Sequence, residues 1–305
     1  LADIDLSLDG TPTTITLQRL ALRQPRGGLE ARATLLLEPT LQWTLDASAR
    51  RFDPGALVAA WPGQLDFTLT STGQPGRDGP QATLTLDPLG GTLRGKPVRG
   101  RADLRLQPPW RIDGTLDLGA GSSRLELAGS GGAHNDARLR LAIGSLADWW
   151  PDASGRLDGD FRIRGQWPAL AVEGRAHAAG IAHGTLQLDR LDLDADVTRV
   201  DPPQGTLTLK ARKLAAGSLQ LDHLELHGNG ERSRHTLELV AQGHPLSLNL
   251  NLDGSVDAAN DWRGNLQRLD LAIGQAPQLV LQQPVAFGVG HGGFTLPQLC
   301  LAASP

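Results

Sequence analysis

The chain has no methionine, a single cysteine at Cys300 and only three lysines, Lys96, Lys210 and Lys213, among its 305 residues. One cysteine excludes an internal disulfide, and a zinc site would need ligands from elsewhere. Aromatic residues are scarce at 4%, too few rings to fill a dense core. No run approaches the roughly 18 apolar residues of a spanning helix. The longest uncharged stretch, from Leu271 onward, is broken by Pro277, Pro284 and Pro297. A net charge of −4 and a pI near 6.1 provide no field for nucleic acid or an anionic membrane surface. The chain opens in mid-pattern at "LADIDLSLDG" without a basic or apolar leader. It is expected to be an internal, water-exposed fragment of a longer protein.

What is present is leucine, about three times as frequent as valine and isoleucine together, although β-branched residues are the ones that favour strands. The leucines alternate with polar residues at period two. Examples are "ATLTLD" (Leu84, Leu86), "ADLRLQ" (Leu104, Leu106), "GTLDLG" (Leu116, Leu118), "GTLTLKA" (Leu207, Leu209), "HTLELVA" (Leu237, Leu239) and "LSLNLNLDG" (Leu248, Leu250 among them). Each predicts a short strand with one apolar and one polar face. Turn clusters such as "TGQPGRDGP" and "HGNGERSR" separate them, as in all-β chains, and at about 12 residues for each strand plus turn roughly 25 strands are expected. "FDPGALVAAWPG" and "SLADWWPDASG" predict short helical insertions near residues 53–61 and 145–151 that proline stops. "GQLDFTLTSTG" from Gly63 and "GRLDGDFRIRG" from Gly155 follow them and suggest a larger repeat starting over. Trp61, Trp150 and Trp167, each before a proline, are expected to cap these insertions or an edge of the sheet.

One pattern breaks phase. "GTLQLDRLDL" (Leu186, Leu188, Leu191, Leu193) returns 33 residues later as "GSLQLDHLEL" (Leu219, Leu221), and "ITLQRLAL" and "NLQRLDLAI" carry the same slip. Leucines at i, i+2, i+5 and i+7 cannot share one face of a regular strand. A β-bulge at the slip returns them to one side and bends the strand. A tight turn is the other reading. Without helices to cover it, the leucine face must pack on a second sheet, close into a barrel, or enclose something apolar. Scarce rings and uniform leucines argue against a sandwich, and the number of strands argues against one barrel. A sheet bent by repeated bulges forms a trough. The expected fold is therefore all-β, one elongated array over residues 1–305, an antiparallel or mixed sheet curled into an apolar groove.

"FDPGALVAAWPGQLDFTLTSTG", "WPDASGRLDGDFRIRGQWPALAVEGRAHAAGIAHGTLQLDRLDLDADV" and "WRGNLQRLDLAI" followed by "LCLAAS" resemble the middle of the TamB family, translocation and assembly module subunits of Gram-negative bacteria in the AsmA-like group. The resemblance runs from Phe52 to Leu301. It implies a long periplasmic protein, attached to the inner membrane by an N-terminal helix and paired through its C-terminal end with a TamA-type outer-membrane barrel. It also implies a curled sheet called a β-taco whose groove carries phospholipids between membranes, and no catalytic residues to carry over. An older assignment for the family is outer-membrane protein assembly.

The sequence offers little other chemistry. Gly288, Gly290 and Gly293 of "GVGHGG" fit a dinucleotide fingerprint by spacing, but a helix must follow and Pro297 stands there instead, so no cofactor is expected. His223 and His227 would lie about 13 Å apart on a strand, too far to share a metal, and His177 and His183 have no partner cysteine. Asp189, Asp192, Asp194 and Asp196 lack the glycine and closing glutamate of a calcium loop and read as the wet side of a strand. No enzyme activity and no metal are expected. The candidate lipid-binding residues are the eighteen leucines named in parentheses above, with phospholipid acyl chains as the partner. Strand pairing with unfolded outer-membrane barrel proteins is the alternative function, and a spacer with a dry core is a third.

Overall fold

The computed structural model describes residues 3–303 except 77–78, 109, 151, 167–168, 201–203, 258, 260, 291–292 and 297. Among them the chain forms an all-β sheet of 22 strands, three fewer than the sequence spacing suggests, and every assigned ladder is antiparallel. Contacts divide the chain into two units, Leu1–Ile143 and Gly144–Pro305. Unit 1 holds β1 (Asp3–Gly10), β2 (Thr14–Gln24), β3 (Gly27–Leu36), β4 (Gln42–Phe52), β5 (Gly63–Gln74), β6 (Gln81–Leu93), β7 (Lys96–Gln107), β8 (Arg111–Ala120), β9 (Ser123–Gly131) and β10 (Asn135–Ile143). Each pairs with the next in a simple meander.

Unit 2 continues the pattern with β11 (Ala153–Gln166), β12 (Ala169–His183), β13 (Leu186–Arg199), β14 (Gln204–Ala216), β15 (Leu219–Glu231), β16 (Arg234–His244), β17 (Leu246–Val256) and β18 (Trp262–Ile273). Beyond β18 the ladder forks. β19 (Leu279–Leu281) pairs at Asp270 and Leu271, and β20 (Val285–Gly290) pairs from Trp262 to Leu266; β21 (Gly293–Thr295) and β22 (Leu301–Ala303) extend the two branches. The described ladders close neither unit into a barrel. Two-residue hairpin loops join several strands, and Gly184 and Gly217 supply the positive φ, 55° and 60°, that such turns require.

The two interruptions are shorter than the sequence suggests. Each is one three-residue 3₁₀ turn, Pro54–Ala56 and Leu146–Asp148, and the strands resume at Gly63 and Ala153. The turns start 92 residues apart, as do Gly63 and Gly155, which agrees with a larger repeat. Asp53 fixes the first turn: its Oδ1 accepts from the backbone N–H of Gly55 at 2.9 Å and of Gly63 at 2.8 Å. The Trp61 and Trp150 backbone N–H groups bond to Val58 and Leu146 within their turns. The Arg94 guanidinium lies 5.2 Å from the Trp61 ring. Trp167 lies outside the described residues.

The phase slips have two structural solutions. In β2, Leu17 pairs with Leu8 and Ala33, while Leu20 pairs with Leu6 and Ala31, so Gln18 is an extra residue against both neighbours. β18 does the same with Gln267, between Leu266 opposite Leu252 and Leu269 opposite Leu250. These are the expected bulges. The repeated stretch in β13 and β15 differs. The break at Asp189 is matched by Gly180 on β12, Lys213 on β14 and Asp222 on β15, all at one level, so the three ladders among β12–β15 keep their register through it. The register shift is displaced to the borders, at β11/β12 beside Gly155 and at β15/β16 beside Asp222. Four strands therefore kink together along a crease, with Gly180 and Lys213 at φ 62° and 53°.

Deleting Gln267 tests the bulge. Without it Leu266 and Leu269 stand two positions apart, so a regular strand keeps the half-buried Leu269 and Leu271 on the apolar face, whereas deleting Gln267 and Arg268 together turns both to the polar face, where losing half the burial of two leucines costs about 2–3 kcal/mol. The thermal midpoint followed by circular dichroism should stay near that of the parent for the single deletion and fall for the double deletion.

Candidate functional site

Cross-strand pairing sorts the apolar side chains into rows. In unit 2 one row runs Ala178, Leu191, Ala211, Leu224, Ala241, Leu248, Leu271 from β12 to β18. Its alanines are 6%, 2% and 4% exposed, while the leucines between them are only half-buried. Leucines on neighbouring strands cover the alanines sideways, and the sheet supplies the burial from its own face. Alanines 31, 49, 102, 176 and 195 are buried likewise, whereas no large side chain among the described residues is fully buried.

Among the described residues no second layer faces these rows in either unit: the main contacts between elements run to strands adjacent in the sheet or next but one, and to the short turns. The largest local cluster is Leu22, Ala49 and Phe52 with Leu29 and Phe67. The accessible surface is 18384 Å². A compact protein of this mass would expose about 12,400 Å², and two compact halves about 14,900 Å².

The register places all eighteen predicted leucines on the apolar face of their unit. In unit 1 Leu84 pairs with Leu104, Leu86 with Ala102, Leu106 with Ala82, Leu116 with Ala102 and Leu118 with Gly100. In unit 2 Leu186 and Leu219 flank Ala216, Leu188 and Leu221 flank Leu214, and Leu193, Leu209, Leu239 and Leu250 fall in one row. Leu207 and Leu237 flank Gly228, and Leu191 and Leu248 belong to the alanine row. Sixteen are half-buried; Leu186 is 40% exposed and Leu221 is 5% exposed. The same face also carries Leu17, Leu20, Leu125, Leu139, Leu226 and Leu252. Their alternation was a sufficient signal. The alanine floor had no signal without the pairing partners.

The opposite face is charged. On β12–β15, Arg175 Nε meets Asp194 Oδ2 at 2.8 Å, His177 Nδ1 meets Asp192 Oδ1 at 2.7 Å, and Arg190 Nε donates to Asp192 Oδ2 at 2.7 Å. Lys210 Nζ reaches Glu225 Oε1 at 2.7 Å, and His223 Nε2 lies 3.4 Å from Glu225 Oε2. Hydrogen bonds from Arg190 first and His177 second hold the Asp192 carboxyl down at about 2, and Lys210 lowers that of Glu225. His227 bonds Thr208 Oγ1 at 3.1 Å. Of the aspartates expected on the wet side, Asp194 is therefore in a cross-strand ion pair with Arg175, and Asp192 is held by Arg190 on its own strand and by His177 across the ladder. Asp189 lies at the crease near Lys213, whose Nζ bonds Asp222 Oδ1 at 2.6 Å. Among the described residues no group of three or more His, Cys, Asp or Glu side chains is placed to hold a metal. Gly290 pairs with Gly293 in a β-hairpin, where the dinucleotide fingerprint needs a helix. No helix among the described residues is long and apolar enough to cross a membrane.

These features define a class: an open, single-layered antiparallel sheet with one charged and one uncovered leucine face. The chain belongs to the TamB family. The model described as TamB, N-terminal domain, matches residues 1–301, a longer span than the Phe52–Leu301 resemblance. The chain is also similar to the Translocation and assembly module subunit TamB of Haemophilus influenzae, 24% identical over 272 residues, which is 88% of this chain and 21% of that protein. It thus spans about a fifth of the length of that relative. No solved structure matches.

The charged face has an acid limit. Asp192 titrates at about 2, below its ordinary 3.8. Its contribution to stability is complete above the ordinary value and is lost as pH falls through the folded one. The thermal midpoint of the protein should exceed that of Asp192→Asn at pH 5, and this gap should close between about pH 4 and pH 2.

Proposed function

We propose that the leucine face is a hydrocarbon path that conducts phospholipids between the inner and outer membranes. The acyl tails lie against the sheet and the head groups stay in water. The observation that carries this reading is the absence, among the described residues of each unit, of any layer packed on the leucine rows. An apolar face left uncovered is normally a binding surface, and each methylene laid against it contributes about 0.8 kcal/mol, so a tail binds without polar contacts. The setting proposed is the periplasm, within a translocation and assembly module. The full-length protein is attached to the inner membrane and partners a TamA-type outer-membrane barrel, and the chain acts as a conduit and not as an enzyme.

A second reading is strand pairing, in which main-chain groups of the sheet would take up a strand of an unfolded outer-membrane protein. The two readings differ in what harms them. Leu104→Arg and Leu209→Arg place a charge among leucines, where an unpaired charge costs several kcal/mol. Because these positions are half-buried, the arginine can reach water in the empty protein and the fold survives. Transfer of labelled phospholipid between membranes in cells should fall by at least about tenfold, the effect of about 1.4 kcal/mol. Leu6→Pro, which removes a main-chain donor from β1, should have a minor effect. The opposite ranking would favour strand pairing and refute the path.

A further inference from the structure

At one end of the apolar face in unit 2 the leucine rows give way to glycine. Gly205, Gly228 and Gly230 floor a cavity of about 450 Å³ walled by Leu237, Trp262 and Phe287, and almost all of its exposed lining is carbon. Trp262 lies back across the sheet: a Cβ on Gly254 or Gly264 would come within 2.4 or 2.5 Å of its ring. Its indole Nε1 donates to His235 Nε2 at 2.6 Å and its ring centroid is 4.5 Å from that of Phe287. The indole's single donor is thereby used, leaving aromatic carbon as the wall.

The glycines differ in what requires them. Gly205 and Gly230 have φ of 125° and 135°, and a Cβ on either would strike backbone oxygen at 2.1 and 2.4 Å. Their backbone dictates glycine. Gly228 has no such φ, and a Cβ there would meet nothing closer than 3.7 Å, the Leu237 Cδ1. It stands in register between Leu207 and Leu237. Neither dihedral nor crowding accounts for it. What glycine preserves at this position is the volume above it.

We propose that this cavity seats the end of a single lipid acyl chain, a fixed station on the hydrocarbon path. The inference rests on the path reading and adds to it a defined site. A peptide inserted here would leave its backbone polar groups unpaired against carbon, whereas a methylene chain has none to satisfy. The volume is about three times that of an engineered apolar cavity that takes benzene, which gives room for about a dozen methylenes.

The test uses the whole chain and palmitic acid labelled with a nitroxide near its methyl end, with binding read from the immobilised fraction of the spin label. The unsubstituted protein should immobilise one equivalent. Gly228→Leu, which fills the cavity, should weaken binding by about tenfold, a change of about 1.4 kcal/mol, while Gly228→Ala stays within about twofold. Leu237→Trp fills the same space from the wall and should reproduce the loss, so the result does not depend on one variant folding. A photoreactive benzophenone residue at position 104 should crosslink palmitate equally in all of these proteins. Unchanged immobilisation in both filled variants, with crosslinking at 104 retained, overturns the station and leaves the path intact. No crosslinking at 104 and no immobilisation overturns the path itself. A peptide in place of lipid in the cavity, found by native mass spectrometry, also overturns the station.

Discussion

The structure depends on leucine lying sideways over alanine on a single-layered ladder. In an ordinary sheet protein the apolar face is covered by another layer. Here the cross-strand neighbour takes that part: Ala178, Ala211 and Ala241 are buried beneath the leucines of flanking strands. Strands as long as the 15 residues of β12 multiply such pairs, each contributing a few tenths of a kcal/mol to about 1 kcal/mol. The sheet therefore holds together with no side chain larger than alanine fully buried among the described residues. The outer tips of its leucines remain uncovered among the described residues.

The charged face complements this arrangement. Arg175 with Asp194 and Lys210 with Glu225 are cross-strand ion pairs, and exposed pairs of this kind contribute about 0–1 kcal/mol each. Their effect is on register more than on stability, because a one-residue slip would set unlike faces against each other. The crease through Gly180, Asp189, Lys213 and Asp222 respects the same constraint: all four strands change phase at one level, so their mutual pairing is undisturbed and the leucines stay on one side. Lys213, in a left-handed conformation that costs a non-glycine residue about 1–2 kcal/mol, is held there by Asp222 at 2.6 Å.

Much of this was legible residue by residue. Leu84, Leu104, Leu209 and Leu239 alternate cleanly with polar neighbours, and the ladders put each on the expected face. The slips at "QRL" in β2 and β18 are the bulges that period two demands. The slip at Asp189 was legible as a break, yet its kind was not, because a bulge and a shared kink look alike in one strand and differ only in the partner. The insertions near 53–61 and 145–151 were legible as interruptions, but proline and resumed alternation left each only a single 3₁₀ turn.

Strand content, the polar and apolar faces and the phase breaks were determined by the sequence alone, since side-chain direction in a strand is a local property of backbone geometry. Only the tertiary structure decided which alanine lies beneath which leucine, that Gly180, Asp189, Lys213 and Asp222 share one crease, and that Trp262 leaves a cavity over Gly228. Those are relations between residues set by pairing across strands, and a one-dimensional pattern does not contain its own partner.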